Sequence, residues 1–397
     1  MAFSRPPWIW PTAAYVHIPF CAFHCGYCDF AIAVGKDDRQ DDYLSALEAE
    51  LARLQSPQKI QTLSLGGGTP THLSADWLDR LLTLLSRWLI VEPGGEFSIE
   101  ANPANLDDAK IRVLADHGVS RVSLGSQSFD RNVLRMLDRD HAPEDVPRAV
   151  ERVRRRIATV SLDLIFGAPG QTLQQWRADL RQALSLDPQH LSTYGLTYET
   201  GTPLWKRAER GEVSPLSEDD ELGMYETAID TLGEAGFEHY EISNFGKRGY
   251  RSRHNSVYWA NHAHFGLGMG AAKYVEGVRS LNVRSLEGYL NRALGGRPTE
   301  FQSETLPPYE RALETIGQNL RRTEGVTRSE FQEQTGFDLE TLVGSAIARH
   351  VEWGTLEADI AGARLTRRGK CVADSVIRDF WKPPVEQPAH AGGSSET

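Results

Sequence analysis

Cysteine is scarce in this chain: four residues in 397, at positions 21, 25, 28 and 371. So few thiols over such a length exclude a small secreted domain held together by disulfides. Long apolar runs are missing as well. The longest, residues 81–91 (LLTLLSRWLIV), contains Arg87 and falls far short of the roughly 20 residues that cross a bilayer. The first twenty residues carry one arginine and the early prolines Pro6, Pro7 and Pro11, with no apolar stretch suited to a secretory signal; the expected location is the cytoplasm. Positive charge is in deficit. With 43 Lys and Arg against 54 Asp and Glu, the formal net charge is −11, which disfavours non-specific binding to nucleic acid or to anionic membrane surfaces.

What is present is alternation. Strand-like runs at 13–19, 61–68, 96–103, 121–129, 159–167 and 190–198 are separated by helical patterns, near 38–54, from Ser74, near 106–117, up to about 156, at 172–185 and at 218–235. In the first of these helices Tyr43, Leu44, Leu47 and Leu51 share one face. Six strand–helix alternations imply a parallel α/β sheet with crossover helices. Their spacing suits a partial (β/α)6 barrel of the TIM type better than the alternative, an open doubly wound sheet. Five of the strands end in polar or glycine residues, on the edge where such folds keep their active sites.

The remaining segments divide as follows. Residues 1–12 form an N-terminal extension, 13–245 the partial barrel, and 246–305 a connecting region of short strand-like runs. Residues 306–382 form a C-terminal winged-helix-like α+β module, and 383–397 a Pro-, Gly- and Ser-rich tail expected to be disordered.

The sharpest chemical signal is Cys21-Ala-Phe-His-Cys25-Gly-Tyr-Cys28, on the loop that leaves the first strand. Three sulfur donors at spacings of four and three suit an iron–sulfur cluster, or a zinc ion completed by His24 or His17. Three ligands on a four-iron cube leave one iron open to a small molecule. Gly66-Gly67-Gly68-Thr69-Pro70 ends the second strand, where glycines let backbone groups approach a ligand. It is no phosphate loop, since no Gly-Lys-Ser/Thr follows. Glu100, Gln127, Arg139 and Asp163 add polar groups on or just past the same rim, and Glu100 is suited to ribose hydroxyls.

The C-x3-C-x2-C spacing resembles the radical S-adenosylmethionine (SAM) superfamily. The runs Tyr15–Phe30, GGGTP, IEANP, LGSQSF and DLIFGAPGQT resemble, within it, the oxygen-independent coproporphyrinogen III oxidase family over about residues 13–380. The resemblance implies a [4Fe-4S] cluster on Cys21, Cys25 and Cys28, with SAM chelated to the open iron and cleaved reductively to a 5′-deoxyadenosyl radical. It also implies that Tyr15, Gly67, Gly68, Thr69, Glu100, Gln127, Arg139 and Asp163 line SAM sites and that Tyr27 lies beside the cluster.

Two branches of the family differ near the third ligand. The oxidase branch carries a further Cys where this chain has Phe30. The Asp29-Phe30 pair resembles the heme-chaperone (HemW) branch, which also carries an H-N-x-x-Y-W motif, here His254-Asn255-Ser-Val-Tyr258-Trp259. The resemblance implies binding of heme and its delivery to an acceptor hemoprotein, with transient contact to membrane hemoproteins allowed. In this motif His254 offers an imidazole for heme iron, with His262 and His264 as rivals, while Tyr258 and Trp259 offer aromatic area for a porphyrin face. The other reading of the trio is a hydrogen-bonded histidine beside core aromatics. The alternative function is oxidative decarboxylation of coproporphyrinogen III propionates. The arginine pairs Arg321-Arg322 and Arg367-Arg368 of the C-terminal module do not outweigh the negative charge, and no nucleic-acid partner is expected.

Overall fold

A computed structural model describes residues 5–381, so the tail at 383–397 lies outside the described residues. The chain forms two compact units, one through Pro307 and one from Pro308 onward.

In the first unit six strands are laid side by side in chain order: β1 (Ala13–Ile18), β2 (Gln58–Gly67), β3 (Leu89–Ala101), β4 (Arg121–Gln127), β5 (Thr159–Phe166) and β6 (His190–Gly195). Each pairs parallel with the next. Helices fill the crossovers: Gln40–Ala52, Ala75–Trp88, Asp108–Asp116, Asp145–Arg154 and Leu173–Ser185, and Glu218–Glu234 follows β6. Their starts follow local chemistry. Ser74 accepts a hydrogen bond from the Trp77 amide, and Thr172 forms a reciprocal capping box with Gln175.

The sheet extends beyond the six expected strands. The strands β7 (Glu238–His239) and β8 (Asn244–Gly246) continue it past β6, with β8 antiparallel to both β6 and β7. At the other edge β9 (Phe265–Leu267) pairs parallel with β1. The order is β9-β1-β2-β3-β4-β5-β6-β8-β7. No pairing joins β9 to β7 among the described residues, so the barrel is partial.

Residues 246–305 are therefore part of the first unit. Besides β9 they supply an antiparallel sheet of β10 (Ala272–Val275), β11 (Val278–Asn282) and β12 (Glu300–Thr305). The buried carboxylate of Glu50 fastens them to the helix Gln40–Ala52. It accepts hydrogen bonds from the Gly268 amide, the Asn282 side chain, the Tyr289 hydroxyl and the Thr299 hydroxyl, at 2.7–2.8 Å. Residues of the N-terminal extension pack here too, with Trp10 edge-on to Phe265.

Strand alternation divides the interior into two chemistries. Residues such as Val16, Ile18, Leu63, Leu65, Ile99, Val122, Leu124, Leu162 and Leu164 share one apolar core with Tyr43, Leu47, Leu81, Ile111, Val150, Trp176 and Leu180 of the helices. The intervening positions are polar or glycine: Tyr15 and His17 on β1, Thr62 and Gly66 on β2, Glu96 and Glu100 on β3, Arg121, Ser123 and Gly125 on β4, Ser161 and Asp163 on β5, and His190 and Ser192 on β6. The second set carries the site.

The second unit has helices at Pro308–Asn319, Arg328–Thr335 and Leu339–Glu352. A small sheet joins Val326–Thr327 to the hairpin Leu356–Ala358 and Gly362–Leu365, and helices Arg367–Cys371 and Ala373–Phe380 close the described chain. No helix among the described residues is long and apolar enough to cross a membrane.

Candidate cofactor and ligand site

The C-terminal ends of β2 to β6 and the loop after β1 enclose one cavity of about 650 Å³. Cys21, Cys25, Cys28 and Tyr27 line it from the loop; Gly67, Gly68 and Thr69 from β2; Glu100, Gln127, Arg139 and Asp163 from further around the barrel. Eleven of the residues singled out in the sequence thus share one space.

The loop is held from two sides. His17, buried on the inner face of β1, donates from Nε2 to the Ala31 carbonyl at 2.7 Å, which leaves Nδ1 to accept the Tyr15 hydroxyl at 3.0 Å. Burial pulls His17 down to about 4, so it stays neutral and keeps this tautomer. Tyr15 is the exception among the expected SAM-lining residues. Its hydroxyl is engaged by His17, and it supports the loop from below without lining the cavity. On the other side the Gly26 amide donates to the Leu137 carbonyl and the Leu204 amide donates to the Gly26 carbonyl.

The glycines are sterically required. Gly67 has φ +109°, and a Cβ there would lie 2.4 Å from the His17 ring; a Cβ on Gly66 would lie 2.7 Å from the Glu100 carboxylate. Glu100 faces the cavity and accepts the Gly67 amide at 3.2 Å. Enclosure by the barrel wall and the nearby Asp163 push its carboxyl up to about 7. Asp163 is raised too, chiefly by burial, although the Ser123 hydroxyl lies 3.0 Å from both its oxygens. Gln127 ends β4 at φ +59°, where the pairing with β5 shifts register. The bend is clamped from outside by buried Asp179, which accepts from the Ser128 hydroxyl and the Phe129 amide, both at 2.7 Å.

Ser123, Tyr194, Thr197 and Glu199 also line the cavity, and sequence reasoning had not singled them out individually. Period-two counting back from Gln127 on β4 reaches Ser123 and would have found it. Tyr194 to Glu199 follow a strand end already marked as polar, but nothing in their types names a role.

The donor set fits the groups implied by the resemblance. Three thiols line one cavity, and burial pushes Cys21 up to about 12 and Cys28 up to about 11. Such thiols ionise only when a cation offsets the burial, as iron does. Across from them stand two carboxylates, an amide, a guanidinium and hydroxyls. These are partners for a molecule with an amine, a carboxylate and ribose hydroxyls. No group of three or more His, Cys, Asp or Glu among the described residues is arranged to hold a metal ion in this conformation.

The H-N-x-x-Y-W segment lies elsewhere. The helix Arg253–Trp259 packs against β2, below the cavity, and none of its residues lines it. His254 is 3% exposed. Its Nδ1 is 2.9 Å from the Thr62 hydroxyl and its Nε2 2.7 Å from the Tyr258 hydroxyl, while its amide donates to Glu96. Burial pulls it down to about 3. Both ring nitrogens of His254 are thus hydrogen-bonded in this structure, because the helix fills the barrel floor. Tyr258 and Trp259 are half-buried on the same helix, and His264 stacks edge-on against Tyr258. Glu96 also takes two hydrogen bonds from Arg121, at 3.0 and 3.1 Å, in a buried ion pair.

Comparison with known proteins follows the same lines. The radical SAM superfamily model matches residues 15–183. The protein named heme chaperone HemW of Lactococcus lactis is 36% identical, over 93% of this chain and 97% of its own length. That of Bacillus subtilis is 36% identical, over 93% and 98%, and that of Escherichia coli 31% identical, over 93% and 98%. The solved structure of the radical SAM enzyme HemN, coproporphyrinogen III oxidase of Escherichia coli, superposes with a TM-score of 0.82 at 22% identity, over 95% of this chain and 91% of that one, a likeness of fold.

Proposed function

Because the chain belongs to the radical SAM superfamily and, within it, to the HemW family, we propose that it is a heme chaperone that holds a [4Fe-4S] cluster and SAM and passes heme to an acceptor hemoprotein. The observation that carries this reading is the convergence of Cys21, Cys25 and Cys28 with Gly67, Gly68, Thr69, Glu100, Gln127, Arg139 and Asp163 on one cavity.

Cys21, Cys25 and Cys28 would hold the cluster, whose open iron supplies a chelation point for SAM and a route for one electron into it. Gly67 and Gly68 bring the backbone close to the methionine part. Glu100 accepts hydrogen bonds from ribose hydroxyls when ionised and donates one when protonated, a balance set near neutrality by its enclosure. Asp163 and Gln127 receive the remaining polar groups, and Asp179 keeps Gln127 in its bend. The pair Tyr15–His17 fixes the end of the cysteine loop at Ala31. Phe30, 65% exposed at the cavity wall, presents apolar surface where the oxidase branch has sulfur. Cluster thiols of this kind fit a reducing compartment, the cytoplasm.

The test is anaerobic reconstitution with iron and sulfide, then addition of heme. The reading expects about four irons and four sulfides per chain, stoichiometric heme uptake, and transfer of that heme to an apo-hemoprotein. A chain that stays colourless, or takes up zinc alone, removes the cluster. Conversion of coproporphyrinogen III to protoporphyrinogen, with SAM and reductant supplied, replaces the chaperone by the oxidase.

A further inference from the structure

Arg139 does not simply face the cavity: it reaches a ligand sulfur. Its Nη1 donates to Cys25 Sγ at 3.3 Å, and its Nη2 donates to the Gly125 carbonyl at 2.9 Å. The guanidinium is thereby fixed in plane between a strand end and the cysteine loop. Its Nε is buried with no hydrogen-bond partner. A residue serving only as a wall ion pair would turn that edge toward an acceptor.

The chain around it is built to hold this pose. The helix Arg131–Met136 is followed by Asp138 at φ +54°, a left-handed residue that turns Arg139 inward, and the Arg139 amide caps the Leu134 carbonyl at 2.9 Å. The same turn grips the neighbour of the sulfur it addresses, since Leu137 accepts the Gly26 amide. Arg207 bridges over it, donating to the Met136 carbonyl and to the Asp138 carboxylate, each at 3.0 Å. A Cβ on Gly26 would lie 2.5 Å from that carboxylate, so the glycine lets the turn and the loop meet without displacing Asp138.

We propose that Arg139 is a positioning residue that sets the reduction potential of the cluster through its hydrogen bond to Cys25 Sγ, with the Gly26–Leu137–Arg207 clamp holding it in place. This rests on the cluster assignment made above. Adding one electron makes the cluster more negative by one charge. A cation that donates to a ligand sulfur stabilises that form, and so raises the potential. The electron comes from a chemical reductant of the one-electron class, dithionite in the experiment.

The experiment is a dithionite titration of the reconstituted full chain without SAM, followed by EPR, for wild type, Arg139→Met, Arg139→Lys and Arg207→Gln. Arg139→Met should lower the equilibrium constant for reduction about tenfold, a midpoint about 59 mV more negative for one electron. Arg139→Lys keeps the charge but not the two-armed fork and should fall between. Arg207→Gln loosens the clamp and should shift the midpoint in the same direction by less. A second readout is the rate at which a chelator strips iron from the oxidised protein, which should rise in the same order. Full iron and sulfide in Arg139→Met with the wild-type midpoint overturns the proposal. If Arg139→Met does not hold a cluster, Arg139→Lys decides, and a wild-type midpoint there overturns it. Failure of the wild-type chain itself to take up iron and sulfide is a different result, which removes the cluster assignment.

Discussion

A methyl group at Gly67 has nowhere to go, since the His17 ring stands 2.4 Å from where it would sit and the backbone is left-handed at φ +109°. Gly67→Ala is expected to cost about 1–3 kcal/mol, measured by denaturant unfolding, and to weaken SAM binding because the backbone must swing away from the cavity. Asp179 gives a prediction in pH. Burial pushes its carboxyl up to about 6, above the ordinary 3.8, even though two donors reach it. A group raised on folding contributes stability in full below its unfolded pKa and loses it as pH rises through the folded value. Stability should therefore decline between about pH 4 and pH 6 on account of Asp179, and Asp179→Asn should flatten that part of the profile. Glu100 acts in the same direction, raised chiefly by burial to about 7, and extends the decline toward neutrality. At this scale the sequence was legible where chemistry is local. Three cysteines in eight residues, a triple glycine and a carboxylate at a strand end announce themselves. Tyr15 did not, because its partner His17 follows two residues later on the same strand face and only the folded register shows that the hydroxyl is consumed there.

Among the elements, the helix Arg253–Trp259 is the one whose role the motif least disclosed. Its pattern reads as a ligand-bearing segment. In the barrel it is a polar plug, with His254 wedged between Thr62 and Tyr258 and its amide on Glu96. A histidine and two aromatics look alike in both settings; what separates them is β2, whose Thr62 lies 192 residues earlier in the chain. His254→Ala strands the Thr62 and Tyr258 hydroxyls and should cost about 1–3 kcal/mol for the buried groups left unpaired, seen as a lower melting temperature without heme. For His254 to coordinate iron through Nε2 it must first release the Tyr258 hydroxyl, so any heme band that depends on this residue should form slowly and should quicken when Tyr258 is replaced by phenylalanine. Arg121→Met leaves Glu96 buried without its cation and should be the harsher change, about 3–5 kcal/mol. The six crossover strands themselves were readable to within a few residues at most ends, because apolar alternation toward the helices is a strong signal. The start of β3 was not. Leu89–Val91 continues the leucine-rich pattern of the preceding helix, and only pairing with Gln58–Ile60 turns it into strand.

For the molecule as a whole, one joint holds the segment after the sheet to the barrel. Glu50 gathers four donors from Gly268, Asn282, Tyr289 and Thr299, so a single side chain ties residues 268–299 to the helix after β1. Glu50→Ala is expected to unfold this joint and to cost more than any one of its hydrogen bonds, with hydrogen exchange in β9 to β11 rising ahead of that in β4 and β5. Sequence alone showed a glutamate on a helix and, far away, a region of short strands taken as a connection. Nothing in either segment names the other, since pairing at such separation is written in shape and not in pattern.

The position of β1 has a further consequence. It lies between β2 and β9, so the strand that leads into the cysteine loop gains its second neighbour only once residues 265–267 have been synthesised and have folded back. On the ribosome the open flank of β1 waits through most of translation, a long-range closure of the kind that folds slowly and exposes chain to aggregation. Iron delivered before that closure would meet thiols on an unfinished wall. On the proposed cluster assignment, metal loading is expected to follow this closure, and its yield in cells should track folding capacity as well as iron supply.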